Sequence, residues 1–146
     1  MNLHKLWCWL QRFLGVERWD RIRIEPETVR DICELARSAA PREMILFLTG
    51  GVKAEGGERV LVIDGLYLKS YYANTRSTSF TTHDLPLLGN VYGTVHSHPG
   101  RSNRPSTADR RLFNKFGSFH LIIAQPYTRE SIAAYDKYGV PIEVEL

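Results

Sequence analysis

The chain has 146 residues, 43% hydrophobic and 24% charged, with 19 Lys and Arg against 16 Asp and Glu for a formal charge of +3. A domain of this size buries about two-thirds of the surface its unfolded chain exposes, so neither disorder nor a disulfide scaffold is called for. The small positive charge does not by itself argue for nucleic-acid binding, and none is expected.

Cys8 and Cys33 lack the close pairing of a thiolate metal site and the density of a secreted disulfide framework, so a reducing cytoplasm is the expected compartment. No apolar run approaches the ~18 residues of a spanning helix. Lys5, Gln11, Arg12, Glu17 and Arg18 interrupt the N-terminus where a signal core would be uniform.

Leu3, Leu6, Trp7 and Leu10 recur at helical spacing and predict a helix over 3–14, with Trp9, Val16 and Trp19 widening its apolar surface. Such a helix can dock on the domain, on a second copy, on a partner or at a membrane interface. Residues 1–20 are therefore set apart as an extension from a domain over 21–146. A short extended segment, 21–24, precedes Glu25-Pro26-Glu27, which reads as a helix start. Val29, Ile32, Cys33, Leu35, Ala36 and Ala39 give that helix a buried side, and Pro41 ends it.

Met44 to Leu48 predicts a buried strand closing at Gly50-Gly51. A long turn over 53–58 then leads into a second, antiparallel strand at 60–63, and Asp64-Gly65 separates it from another over 66–72. Ser77 to Thr82 suits a strand or an exposed loop. Val91 to Val95 runs as a strand into His96, and Ala108, Leu112, Phe113 and Phe116 mark a helix over 107–116 stopped by Gly117. Strands are expected at 119–124, 132–135 and 140–146. The sum is one mixed α/β domain with a largely antiparallel sheet packed between helices.

Along an extended segment, residues two apart share a face, so His96 and His98 can aim at one point while Ser97 faces away. Ser106 and Asp109 stand at the spacing of a helix N-cap and its third helical residue, which is sufficient reason for a serine and an acid there. Two imidazoles and one carboxylate are also the three-ligand set of a catalytic zinc site, which leaves its fourth position to water.

Such a site needs a carboxylate to move the water's proton, and Glu43 stands at the mouth of a buried strand, whereas Glu55 and Glu58 sit in the glycine-rich turn. Ser106 can donate its hydroxyl to an oxyanion while its lone pairs cap the helix. Arg101, Arg104, Arg110 and Arg111 bracket these residues, either as solvated surface charge or as a docking face for an acidic partner.

In Glu43, His96-Ser97-His98-Pro99, Ser106 and Asp109 the chain resembles the JAMM (MPN-plus) metalloprotease family, most closely its small stand-alone archaeal members, over roughly residues 22–146. The resemblance implies the MPN fold, which is cytidine-deaminase-like. It also implies one zinc per chain on His96, His98 and Asp109, with Glu43 as acid/base and Ser106 at the oxyanion. The implied activity is cleavage of a peptide or isopeptide bond after the C-terminus of a ubiquitin-like modifier. The family often has glycine three residues after the glutamate, where this chain has Leu46.

RadC-like DNA-repair-associated proteins share the H-x-H-P and P-S-x-A-D elements but usually carry Asn where this chain has Ser97. A zinc deaminase would need H-x-E and P-C-x-x-C, both absent from the sequence. A metal-free MPN scaffold that binds partners is the non-enzymatic alternative.

Overall fold

The computed structural model describes residues 18–67, 90–115 and 117–146. The expected helix over 3–14, the segment 77–82 and residues 68–72 of an expected strand lie outside them. Strand β1 (Arg21–Ile24) leads into helix α1 (Pro26–Ala39). Proline at the first helical position loses no hydrogen bond, and Glu27 in the first turn and Arg37 in the last both complement the helix dipole. The helix stops because Pro41 drives Ala40 into an extended conformation (φ −53°, ψ 140°). Val29, Ile32, Cys33 and Ala36 form its buried stripe.

Strand β2 (Ile45–Glu55) and strand β3 (Glu58–Tyr67) are longer than the sequence suggested. Gly50-Gly51 does not end β2. A register shift at Thr49/Gly50 takes up both the glycines and the opposing Asp64-Gly65, so β3 also runs on unbroken. The turn consists only of Gly56 and Gly57, whose φ values of 57° and 84° suit the tight hairpin turn that matches strand twist.

Strand β4 (Val91–Ser97), helix α2 (Thr107–Lys115), strand β5 (Phe119–Ile123), a 3-10 turn at Arg129–Ser131 and strand β6 (Ile132–Asp136) complete the order. The sheet runs β1-β3-β2-β4-β5-β6, with β1–β3 and β4–β5 parallel and the other three pairings antiparallel. The mixed α/β domain is as expected, with two parallel pairings that short-range patterning did not specify.

The expected final strand over 140–146 is not regular. Ile142 N–H bonds to the Ala134 carbonyl of β6, while Glu145 exchanges backbone bonds with Ile22 and Ile24 of β1. The sheet curls until its two outer strands share this one segment, which leaves too few consecutive partners for a ladder. Arg21 bonds to Glu58 and Glu145, and Arg23 to Glu55, across the same edge. Both acids of the turn region, Glu55 and Glu58, are thus paired with arginines.

One face of the sheet sends Leu46, Leu48, Leu61, Ile63, Val95, Leu121 and Ile123 against α1. The other buries Phe113 of α2 with Ile122 and Tyr135. Leu46, at 1% exposure, is part of the first cluster, so the side chain present in place of the family's usual glycine serves as packing. No helix among the described residues is long and apolar enough to cross a membrane.

Gly93 allows β4 and β5 to approach, since a Cβ there would lie 2.0 Å from the Phe119 carbonyl oxygen. Gly93→Ala should therefore cost about 3 kcal/mol in urea unfolding. Gly51→Ala, whose Cβ meets nothing within 4 Å, should change stability by under about 0.5 kcal/mol. Equal effects would contradict this account of the contact.

Candidate metal centre

His96 lies in β4 opposite Ile45 of β2 and beside Ile122 of β5, a position buried on the α2 side of the sheet. Its ring meets Phe113 edge-on, with centroids 5.9 Å apart. His98 follows just beyond the strand end, where its N–H donates to the Ile123 carbonyl. Asp109 comes from the first turn of α2. Its Oδ1 is 3.3 Å from His96 Nδ1 and its Oδ2 is 3.1 Å from His98 Nε2.

Asp109 is where it is because the helix start is a reciprocal cap. Ser106 N–H donates to Asp109 Oδ2 at 2.7 Å, and Asp109 N–H donates to Ser106 Oγ at 3.1 Å. Burial opposes the charged carboxylate most strongly, but bonds from His96, His98 and Ser106 together outweigh it and hold Asp109 far below the usual carboxylate range. The same Asp109 bond, against burial and with help from the Ser102 carbonyl and the charges of Asp109 and Glu43, raises His98.

The surroundings of His98 show what the site can hold. Its Nδ1 is 2.9 Å from the Ser102 carbonyl, which only accepts, so Nδ1 carries a proton. Its Nε2 faces a carboxylate oxygen, so this second nitrogen needs either another proton or a cation between the two. A backbone carbonyl on the remote nitrogen is the usual partner of a metal-ligating histidine.

Among the described residues no group of three or more His, Cys, Asp or Glu is arranged as a ready-made metal cage. Each imidazole meets a different oxygen of the Asp109 carboxylate, at 3.3 and 3.1 Å. His96 Nε2 is a further buried nitrogen with no hydrogen-bond partner. The donor set, two nitrogen ligands and a carboxylate, fits zinc.

Glu43 is exposed at the residue before Met44, and its charge acts on His98. It is thus brought to the same end of the sheet from β2. Ser106 is exposed with its Oγ engaged in the cap. Arg101, Arg104, Arg110 and Arg111 are exposed around the site, and the charges of Arg104 and Arg110 both act on Tyr135.

Several supporting residues carry no local sequence signal. Tyr127 donates its hydroxyl to the His98 carbonyl at 2.9 Å, and Gln125 bonds to the Pro99 and Gly100 carbonyls. Asn103 donates to the Ser131 carbonyl, while its own carbonyl accepts from the Tyr135 hydroxyl. His120, fully buried, bonds through Nδ1 to Thr94 Oγ1 at 2.7 Å and stacks on Phe113 with centroids 4.1 Å apart. Only the apolar context of Phe119 to Ile123 could have marked His120 as a buried residue.

Among the described residues, a six-stranded curled sheet with one helix on each face and this histidine–aspartate cluster at the end of β4 match the JAB/MPN class of domain. A family model described as prokaryotic homologs of the JAB domain matches residues 25–136, and the chain belongs to that JAMM/MPN family. A JAB1/MPN domain protein from Archaeoglobus fulgidus is 32% identical, with 86% of this chain and 96% of that one covered at a TM-score of 0.62.

A structure described as "JAMM: A Metalloprotease-like Zinc Site in the Proteasome and Signalosome" is 34% identical over the same shares at 0.63. A Haloferax volcanii protein named "Probable metalloprotease" is 35% identical over 80 residues, 55% of this chain. The match spans 46% of that relative's length. A Salinibacter ruber protein, 18% identical at a TM-score of 0.56, shares the fold alone.

Burial, reinforced by the charge of His96, pushes His120 down to about 3. Relative to an unfolded value near ~6.5, its contribution to stability is fully present above that pH and is lost as pH falls toward the folded value. His98, raised, contributes with the opposite sign, present below ~6.5 and fading as pH rises through its folded value. Metal-free protein should therefore lose about 2 kcal/mol through His120 between pH 6.5 and 5. Thermal unfolding of His120→Gln should show a shallower acid limb, and an unchanged limb would refute the assignment.

Proposed function

We propose that this chain is a zinc-dependent peptidase that hydrolyses the peptide or isopeptide bond after the C-terminus of a ubiquitin-like modifier. The unit that performs it is residues 21–146. The observation that carries the reading is the convergence of His96, His98 and Asp109, at the end of the sheet where Glu43 precedes β2. It is supported by the donor chemistry of His98, whose two ring nitrogens both face acceptors, and by the zinc-site description of a 34% identical structure.

His96, His98 and Asp109 would hold the ion. When bound, zinc polarises the scissile carbonyl and brings the pKa of its water toward ~7. Glu43 takes the proton of the attacking water and delivers it to the nitrogen of the breaking C–N bond, which departs poorly as an anion and readily once protonated. Ser106 accepts the Asp109 N–H with one lone pair and retains its hydroxyl proton for the oxygen of the carbonyl under attack. Arg101, Arg104, Arg110 and Arg111 supply a basic rim that favours an acidic face on the modifier.

The direct test is incubation of the purified chain with modifier conjugates from its own cell, with and without a chelator, with the cut bond located by mass spectrometry. Chelator-sensitive cleavage after the modifier's terminal residue is expected. No cleavage together with no zinc would leave the scaffold reading, and zinc without peptidase activity would favour a RadC-like one.

Two variants probe the roles. Glu43→Gln should retain about one zinc per chain while turnover falls by ~100-fold or more. Near-normal turnover would remove Glu43 from the proton transfer.

Ser106→Ala should lose roughly 1 kcal/mol of stability through the cap and ~100-fold in turnover through the oxyanion. A stability change with full turnover would restrict Ser106 to capping.

A further inference from the structure

We propose that Ser97, the residue between the two histidines, is a positioning residue whose hydroxyl clasps the start of β2 and so holds Glu43 beside His98. The inference rests on the peptidase reading for its catalytic consequence and on backbone geometry for the clasp itself.

Ile45 is paired with His96, so Met44 and Ser97 form the next position of the β2–β4 ladder. Ser97 N–H donates to the Met44 carbonyl at 3.0 Å, as a regular antiparallel pair requires. The return bond is different. Met44 N–H donates at 2.8 Å to Ser97 Oγ, where a regular pair would use the Ser97 carbonyl.

The substitution lets β4 leave β2 without freeing the end of β2. After Ser97 the chain keeps its pairing with β5 but not with β2: the His98 N–H donates to the Ile123 carbonyl in the parallel ladder, and the His98 carbonyl accepts from Tyr127. The Met44 N–H is thus held by a short side-chain oxygen, which reaches it without the Ser97 carbonyl staying in the ladder. Only an acceptor one carbon from the backbone has this reach, which limits the position to residues such as Ser or Thr.

Ser97 and Met44 are 1% and 6% exposed, so water does not readily replace the bond. Glu43 is the next residue along and is exposed. An exposed side chain is held in place chiefly through its backbone, so the anchored backbone at Met44 limits its travel relative to His98. The hydroxyl that faces away from the site thus orders the group expected to carry protons within it.

The test compares Ser97→Ala and Ser97→Thr with the parent. In metal-free protein, NMR amide exchange at Met44 should be ~10-fold or more faster in Ser97→Ala and near the parent's in Ser97→Thr. Cross-relaxation between Glu43 side-chain protons and the His98 ring should weaken only in the alanine variant. In zinc-loaded protein, Ser97→Ala should lower kcat about 100-fold. KM should stay within about 2-fold, and Ser97→Thr should restore kcat.

Unchanged Met44 exchange, unchanged kcat, a matching loss of zinc or failure of threonine to rescue would each overturn the proposal. If Ser97→Ala does not fold, Ser97→Cys, similar in size and a weak acceptor, takes its place in the same comparison. A parent that cleaves no modifier conjugate would defeat the peptidase reading alone, because exchange and cross-relaxation still decide whether Ser97 holds Glu43.

Discussion

Both oxygens of the Asp109 carboxylate are committed at once: Oδ1 to His96, and Oδ2 to His98 and to the Ser106 N–H. Strand β4, the loop after it and helix α2 meet at this one group. A carboxylate so buried would be costly if left unpaired. Here burial is outweighed by donors drawn from three different backbone segments, and so the charge itself specifies how those segments assemble. Replacing it with an apolar residue would remove one half of the reciprocal cap, the bond from the Ser106 N–H, and leave two imidazoles without their common acceptor.

The rest of the site is arranged to keep that meeting point fixed. The loop carrying His98 is bound by Tyr127, Gln125, Ser131 and Tyr135, all from the segment after β5. It is thereby held almost as firmly as the strand it leaves, which is what preorganisation of a ligand set requires. Tyr127 takes part from a left-handed backbone conformation, φ 60°, sustained by its own N–H bond to Ala124 and by Arg37 on its carbonyl. Behind His96, the stacked Phe113 and His120 rings form a dry layer between α2 and the sheet.

Catalytic chemistry and architecture draw on the same residues. The serine that caps α2 is also the hydroxyl we propose for the oxyanion, and the serine that separates the histidines is also the acceptor for the start of β2. Each can act twice because a hydroxyl has one proton and two lone pairs. The basic side chains nearby extend outward from elements whose backbones are already secured, so a docking surface would need no ordering of the loop when a partner arrives.

Much of this was legible along the chain, since it depends on short-range geometry. Alternation places His96 and His98 at neighbouring same-face positions, helix-start spacing joins Ser106 to Asp109, and Pro26 and Pro41 bound α1. The strand limits were harder to read. Gly50-Gly51 and Asp64-Gly65 look like breaks, yet they oppose one another across a bulge, a pairing invisible until both strands are in register.

The sequence by itself determined the donor types, their local spacing and the amphipathic faces, because these follow from backbone periods of two and 3.6 residues. Only the tertiary structure decided that Glu43 comes to the end of the sheet that carries His98, that Tyr127 steadies the loop and that residues 140–146 join both outer strands. Those relations rest on register and hydrogen bonds between segments far apart in the chain, for which no local period exists.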